Sequence, residues 1–268
     1  MNAVIVIPVY RESINEFEFI SINQTLSILG SHPVVIVAPD SLDISIYSDL
    51  INKYKVRSRF ERFKDSYFTG IEGYNRLLLS PEFYLRFSKY KYMLICQPDV
   101  YVFRDELAFW CEKEYDFIGA PLIGNHEDKE FSIKMRVGNG GFSLRKVETY
   151  IHFFESNKNV FTPKQVFSLI NILKKPYTRI FVWFLMIFGW RNKPLSCAQY
   201  WKYNEDDFWS GYLDKSNYKL RKPTPSEALK FAFERFPKEC YKITEKLPFG
   251  CHAWGKYEYE DFWEKHIK

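Results

Sequence analysis

Four segments of the chain carry residue types that could do chemistry on a ligand. Asp99 follows the apolar run Tyr92–Cys96 and the pair Gln97-Pro98, so its carboxylate is expected at the carboxyl end of a strand. An acid there can hold a divalent cation against phosphates, since hard oxygen donors suit Mg²⁺ or Mn²⁺; the same residue also suits a turn or a helix cap. Asn204-Glu205-Asp206-Asp207-Phe208-Trp209-Ser210-Gly211 sets three carboxylates in a row before an aromatic pair. Repulsion among them raises a pKa toward the range of a general base, while the plainer alternative is a solvated helix N-terminus whose acids complement the dipole. In Gly138-Asn139-Gly140-Gly141-Phe142-Ser143-Leu144-Arg145 the glycines let the backbone approach a ligand, or simply make a tight turn. Pro248-Phe249-Gly250-Cys251-His252-Ala253-Trp254 puts an imidazole that can reach a metal or phosphate beside an indole that can stack on a sugar. A lone histidine serves equally as an ordinary hydrogen-bonding residue.

The elements that must position these residues follow from periodicity. Short apolar runs at 3–8, 34–38, 56–60 and 92–96 alternate with helix-period segments at 17–29, 44–53 and 71–79. Strand–helix–strand alternation predicts an α/β fold with a mainly parallel sheet covered on both faces. Ligands then bind beyond the carboxyl ends of the strands, which draws attention to Tyr10 and Arg11, to Asp40, and to Asp99. No G-x-G-x-x-G or G-K-[ST] loop follows a strand, which lowers dinucleotide-binding and P-loop readings. Beyond about residue 136 the alternation weakens; residues 1–135 read as a nucleotide-binding half and 136–268 as an acceptor and catalytic half of one continuous domain.

Thirty-eight basic against 33 acidic residues, net +5, is too balanced for a protein that coats nucleic acid. The five cysteines show no C-x-x-C or paired zinc spacing, so a reducing compartment is expected. The start of the chain lacks a basic region and cleavage site and reads as a first strand, hence a cytoplasmic expectation. An aromatic fraction of 19% exceeds what a core of this size needs and suggests rings facing a sugar or lipid interface. The stretch 180–190 is too short to span a bilayer, which takes about 20 apolar residues. With Lys174, Lys175 and Arg179 before it and Arg191 and Lys193 after, it could lie on an anionic leaflet as a peripheral contact, or be a core helix or oligomer contact.

Taken in order, the segments 75–84, 97–107, 138–145, 204–210 and 248–254 resemble a bacterial domain family of formerly unknown function, found with surface-polysaccharide genes and related to GT-A-fold glycosyltransferases. The resemblance covers nearly the whole chain, less so 156–200. It implies a GT-A-like (Rossmann-type) sheet, a nucleotide-sugar donor, a glycan acceptor such as a lipid-linked O-antigen or capsule intermediate, and no nucleic-acid partner. Asp99 stands at an acid of the D-x-D motif that holds Mn²⁺ or Mg²⁺, with His252 as a further metal ligand; Tyr101 replaces the second acid. Alternatively Arg76 and Arg11 neutralise the leaving group without a metal. By the same resemblance Asp206 is the base of an inverting transfer, with Asp207 next in line and Glu205 beside it. Tyr10, Arg11, Arg76, Asp99, Gly140 and Gly141 would bind the donor, and Trp254 and Trp209 the acceptor. The rival readings are a nucleotidyltransferase or metal-dependent hydrolase, and a non-catalytic carbohydrate- or membrane-binding protein.

Overall fold

The computed structural model describes residues 2–123 and 135–267. Strands made wholly of apolar residues must be covered on both faces, and those of the first half are: β1 (Ala3–Pro8), β2 (Val34–Pro39) and, further on, the strand Tyr92–Cys96 are buried along their length. Between them run α1 (Glu16–Leu29), α2 (Ser45–Tyr54), β3 (Ser58–Phe63), α3 (Gly70–Leu78) and α4 (Pro81–Leu85), after which Tyr92–Cys96 is β4. Then come β5 (Val100–Val102), α5 (Leu107–Glu112), β6 (Phe117–Gly119), β7 (Pro121–Ile123), β8 (Met135–Val137), β9 (Phe142–Lys146) and α6 (Val147–Glu155). The remainder holds α7 (Pro163–Leu169), α8 (Pro176–Ile187), α9 (Pro194–Gln199), the single turn α10 (Glu205–Asp207), α11 (Pro225–Phe231), β10 (Ala232–Phe233), α12 (Pro237–Thr244) and β11 (Gly250–His252).

The main sheet has the order β3-β2-β1-β4-β9-β6. The first four strands pair in parallel; β9 runs antiparallel to both β4 and β6. The fold is therefore α/β with a mainly parallel central sheet flanked by helices, as the alternation implies. Its two faces carry separate cores. Val4, Val6, Val35 and Val37 pack with Leu77, Phe83, Tyr150 and Trp209 on one side. Ala3, Ile5, Ile7 and Ile36 pack with Ile22, Leu26, Leu50 and Ile51 on the other. The strand β3 starts two residues later than the apolar run suggests because it is an edge strand, where Arg59, Glu61 and Arg62 are tolerated and the alternation is half polar.

A second sheet, β10-β11-β5, sits where β4 ends. β11 pairs antiparallel with β5, with His252 opposite Val100, and the backbone N–H of Ala253 donates to the Asp99 carbonyl at 3.1 Å. That register, rather than any sequence proximity, brings the C-terminal histidine beside the mid-chain aspartate.

Most of the aromatic excess is core. Trp110, Trp209, Trp254 and Trp263 are fully buried, and Tyr84 stacks on Tyr150 at 4.4 Å with Trp209 edge-on to both. All five cysteines are buried and unpaired. The core-helix alternative for residues 180–190 does not hold: α8 turns Ile180, Phe181 and Phe184 to the surface. Among the described residues no helix is long and apolar enough to cross a membrane.

Leu94 lies at the centre of β4, covered on both sides. Leu94→Ala is expected to cost about 3 kcal/mol, read as a lower urea midpoint with an unchanged m-value.

Candidate active site

Beyond the carboxyl ends of β1 and β4 lies a cleft with a volume of about 1350 Å³. Its walls are laid down by segments far apart in sequence: Pro8 and Tyr10 after β1, Tyr74 and Asn75 on α3, Gln97 to Asp99 after β4, Asn139 to Gly141 before β9, Asn204 to Asp207, Glu234, His252 and Lys256.

One wall is fixed by a buried ion pair. Arg145, on β9, is fully buried and grips Glu205 through two hydrogen bonds, Nη2 to Oε1 at 2.7 Å and Nη1 to Oε2 at 3.0 Å. Its remaining bonds go to the Tyr84 hydroxyl at 3.0 Å and to Ser143 Oγ at 3.1 Å. A guanidinium stripped of water needs this degree of satisfaction, since breaking one partner of a buried pair costs about 3–5 kcal/mol. The Glu205 backbone N–H donates to Asn75 Oδ1 at 3.0 Å, tying the turn to α3. Both carboxylate oxygens of Glu205 are thus bonded to Arg145, and the pair holds α10 in place. Gly140 belongs to the same device: a Cβ there would sit 2.3 Å from Glu205 Oε1.

With Glu205 turned inward, its neighbour Asp206 faces the cleft. Its Oδ1 accepts the Asp207 backbone N–H at 2.7 Å, and the Gly140 N–H also reaches the carboxylate. Burial, followed by the charges of Glu205 and Glu234, raises its pKa to about 7, against the opposing pull of Arg145. Asp207 also lines the cleft but is ion-paired with Arg136.

Beside Gly141 the cleft is lined by a histidine held by oxygens. His252 Nδ1 faces Glu234 Oε1 at 3.1 Å, while Nε2 faces Gln97 Oε1 at 3.1 Å and Asp99 Oδ1 at 3.3 Å. Burial alone would lower the imidazole pKa, but the charge of Asp99 and the hydrogen bonds to Asp99 and Glu234 carry it well above the ordinary value. Asp99 in turn is held below the usual carboxylate range by His252, although burial pulls the other way. Gly141 makes room for the ring, because a Cβ there would lie 2.2 Å from Nε2. Ala253 then takes a left-handed conformation (φ 53°), costly for a non-glycine residue, and the chain beyond it returns to the cleft at Lys256 and Tyr257.

Among the described residues no group of three or more His, Cys, Asp or Glu side chains could hold a metal ion by itself. The donor set fits a divalent cation that takes further oxygens from a ligand, provided that the cation takes the place of the proton that Asp99 and Glu234 favour on His252. Asp99 Oδ1, Gln97 Oε1 and His252 Nε2 converge, and Glu234 behind Nδ1 orients the ring as carboxylates do for metal-binding histidines.

The structure brings together Tyr10, Asp99, Gly140, Gly141, Glu205, Asp206, Asp207 and His252. It does not bring in four others. Arg76 points to solvent and pairs with Glu72 one helical turn away; on α3 it is Ile71, Tyr74 and Asn75 that face the cleft. Arg11 is drawn off by Glu18, the residue that also closes the N-terminal capping box of α1 with Asn15. Trp209 is fully buried under Tyr84 and Tyr150. Trp254 is likewise buried, its indole N–H donating to Ser21 Oγ at 2.8 Å. Neither tryptophan can reach an acceptor. Sequence reasoning missed Glu234, which follows a strand of only two residues, too short to register as a pattern. Arg145 could have been suspected as a cation inside an otherwise apolar strand. Lys256, exposed on the cleft wall near Asp99, gave no signal at all.

Fold and site together define an α/β protein with a cleft lined by polar and charged residues at the carboxyl edge of a mainly parallel sheet. The chain belongs to the family described as protein of unknown function DUF5672, whose model matches residues 57–252. No curated protein sequence matches it. Solved structures similar to it include the apo-form glycosyltransferase GlyE of Streptococcus pneumoniae, with 10% identity, 94% of this chain and 54% of that chain covered, and a TM-score of 0.46. Core-mannan synthase A (CmsA/Ktr4) of Aspergillus fumigatus in a Mn/GDP form has 11% identity, 74% and 69% coverage, and a TM-score of 0.43. TarS 1-349 of S. aureus in complex with UDP-GlcNAc has 15% identity, 56% and 46% coverage, and a TM-score of 0.35. The chain thus spans about half of GlyE and of the TarS fragment.

Two outcomes follow from these contacts. Glu205→Gln is expected to lower stability by about 3 kcal/mol or more in urea unfolding, and Arg145→Met combined with it by less than the sum of the single changes. Because the pKa of Asp206 is raised in the folded state, the native protein keeps a proton that the unfolded chain releases between about pH 4 and 7, so this group's contribution falls as pH rises through that window. Asp206→Asn should therefore gain stability over the parent on going from acid to neutral pH, and the gain should level off above about pH 7.

Proposed function

We propose that the chain is a GT-A-type glycosyltransferase that moves a sugar from a nucleotide-sugar donor to a glycan hydroxyl, with inversion at the anomeric carbon. The observation that carries the reading is that one cleft holds both a carboxyl whose pKa is raised to about 7, Asp206 beside Gly140, and the Asp99–His252–Gln97 cluster beside Gly141, suited to a diphosphate. The volume of about 1350 Å³ supports two substrates at once, since pockets for a single drug-sized ligand run to about 300–1,000 Å³. The order of motifs described above adds the family's donor and acceptor classes.

In this reading Tyr10, Ile71 and Asn75 border the nucleotide, at the carboxyl end of β1 and on α3. A divalent cation, when bound, would be held by Asp99, His252 and Gln97 and would neutralise charge on the departing diphosphate. Lys256 adds a positive charge to the same wall. Asp206 accepts the proton of the acceptor hydroxyl. As that oxygen bonds to the anomeric carbon, the bond to the diphosphate oxygen breaks, and the nucleoside diphosphate leaves with the electron pair. A base with a pKa near 7 is half ionised at neutral pH and needs no unusual conditions to act. Asp207, ion-paired with Arg136, borders the acceptor side. The acceptor we favour is a lipid-linked O-antigen or capsule intermediate.

The test is thermal stabilisation by UDP-, GDP-, CMP- and dTDP-sugars with and without Mn²⁺, followed by transfer assays with the donor that binds. One donor class should raise Tm, and nucleoside diphosphate should appear as product. Pyrophosphate as product would make the protein a nucleotidyltransferase, and no stabilisation by any donor would sink the transferase reading. Asp206→Asn is expected to lower transfer by about 10²-fold or more while leaving the donor-induced Tm shift in place. Activity of the parent should rise with pH to a plateau, with an inflection near the Asp206 pKa of about 7.

A further inference from the structure

The second half presents an apolar surface that the cleft does not use. On α8, Tyr177, Ile180, Phe181, Phe184 and, just past its end, Phe188 are exposed, Phe181 by 63% and Phe188 by 74%. They recur three and four residues apart and so form one stripe, while Trp183 and Met186 on the other face pack against the core and α7. Trp190 and Tyr200 continue the surface, with Arg191 lying over both rings at 4.7 and 4.1 Å.

The charge around this stripe is one-sided. From Ser156 to Asn204 the sequence holds eight Lys or Arg and no Asp or Glu. Lys158, Lys164, Lys174, Lys175, Arg191, Lys193 and Lys202 are all exposed. Exposed aromatic rings amid cations that form no ion pair among the described residues are complementary to a phosphate-bearing lipid surface, where the rings enter the headgroup boundary and the cations meet anionic lipid. A second copy of the chain is a poor occupant, because a two-fold contact would set this stretch, which has cations and no acid of its own, against itself, like charge on like charge. The stretch ends at Asn204, on the cleft wall, after the exposed Tyr203.

We infer that the α8 face docks on the anionic leaflet of a lipid bilayer without crossing it, and so holds the cleft next to the headgroups. The inference deepens the transferase reading, since it supplies a reason for a lipid-linked acceptor and rests on that reading for its purpose. The test uses the full chain with vesicles of phosphatidylcholine alone and of phosphatidylcholine with phosphatidylglycerol, in low and high salt. Binding should be at least about tenfold stronger to the anionic vesicles and should fall with salt. Phe181→Glu with Phe184→Glu, and separately Lys174→Glu with Lys175→Glu, should each lower it by a similar factor while the Tm shift with donor stays unchanged. Equal binding to both vesicle types, no binding, or binding untouched by both double variants would overturn the inference. So would a dimer in light scattering that the Phe variant dissociates, or RNA binding that competes with the anionic vesicles. Failure here with donor binding intact speaks against the surface alone, and vesicle binding without any donor-induced shift speaks against the transferase reading alone.

Discussion

The Arg145–Glu205 pair is the constraint on which the rest of the cleft depends. A fully buried guanidinium is tolerated only when its charge is matched and its donors are used, and here four hydrogen bonds do so. Arg145 sits on β9, the antiparallel strand set between β4 and the edge strand β6, so the pair fastens α10 and the segment that follows α9 to that side of the sheet. Because successive residues in a helical turn point about 100° apart, fixing Glu205 inward fixes Asp206 toward the cleft. The missing side chain of Gly140 lets the two approach. Asp206 then acquires its raised pKa from the burial and negative charge that this arrangement imposes.

The His252 cluster obeys a similar logic with weaker bonds. Glu234, Gln97 and Asp99 hold one imidazole through both ring nitrogens, and the register of β11 on β5 sets the distance to Asp99. Tyr101 stands where the D-x-D pattern has its second acid, yet it faces the core formed with Trp254 and Phe103 and takes no part in the cleft. The wall therefore relies on one carboxylate, one amide and one imidazole, with Glu234 orienting the ring from behind.

Much of this was legible before the structure. The apolar runs located β1, β2 and β4, and the rule that ligands gather at the carboxyl ends of parallel strands pointed to Tyr10 and Asp99. The acidic cluster and the C-terminal histidine were marked by residue type, and they do line the cleft. What periodicity could not convey is direction within short elements. Arg76 and Asn75 are neighbours, yet helical phase sends one to solvent and the other to the cleft. Within Glu205-Asp206-Asp207 three carboxylates of equal promise divide into a buried anchor, a cleft acid and an ion-paired neighbour. Trp209 and Trp254 looked like ligand-facing rings only because composition does not reveal how much aromatic surface a core will absorb.

In the proposed transferase a donor diphosphate lies against Asp99, Gln97 and His252, in the same cleft as an Asp206 whose position the Arg145–Glu205 pair fixes. The most direct measurement is a crystal structure of the chain with Mn²⁺ and each of UDP and GDP. The account expects diphosphate and metal density beside Asp99 and His252, the buried pair intact, and Asp206 facing the gap where an acceptor would enter. Nucleotide bound elsewhere, or in a pose that fills the space before Asp206, would contradict it.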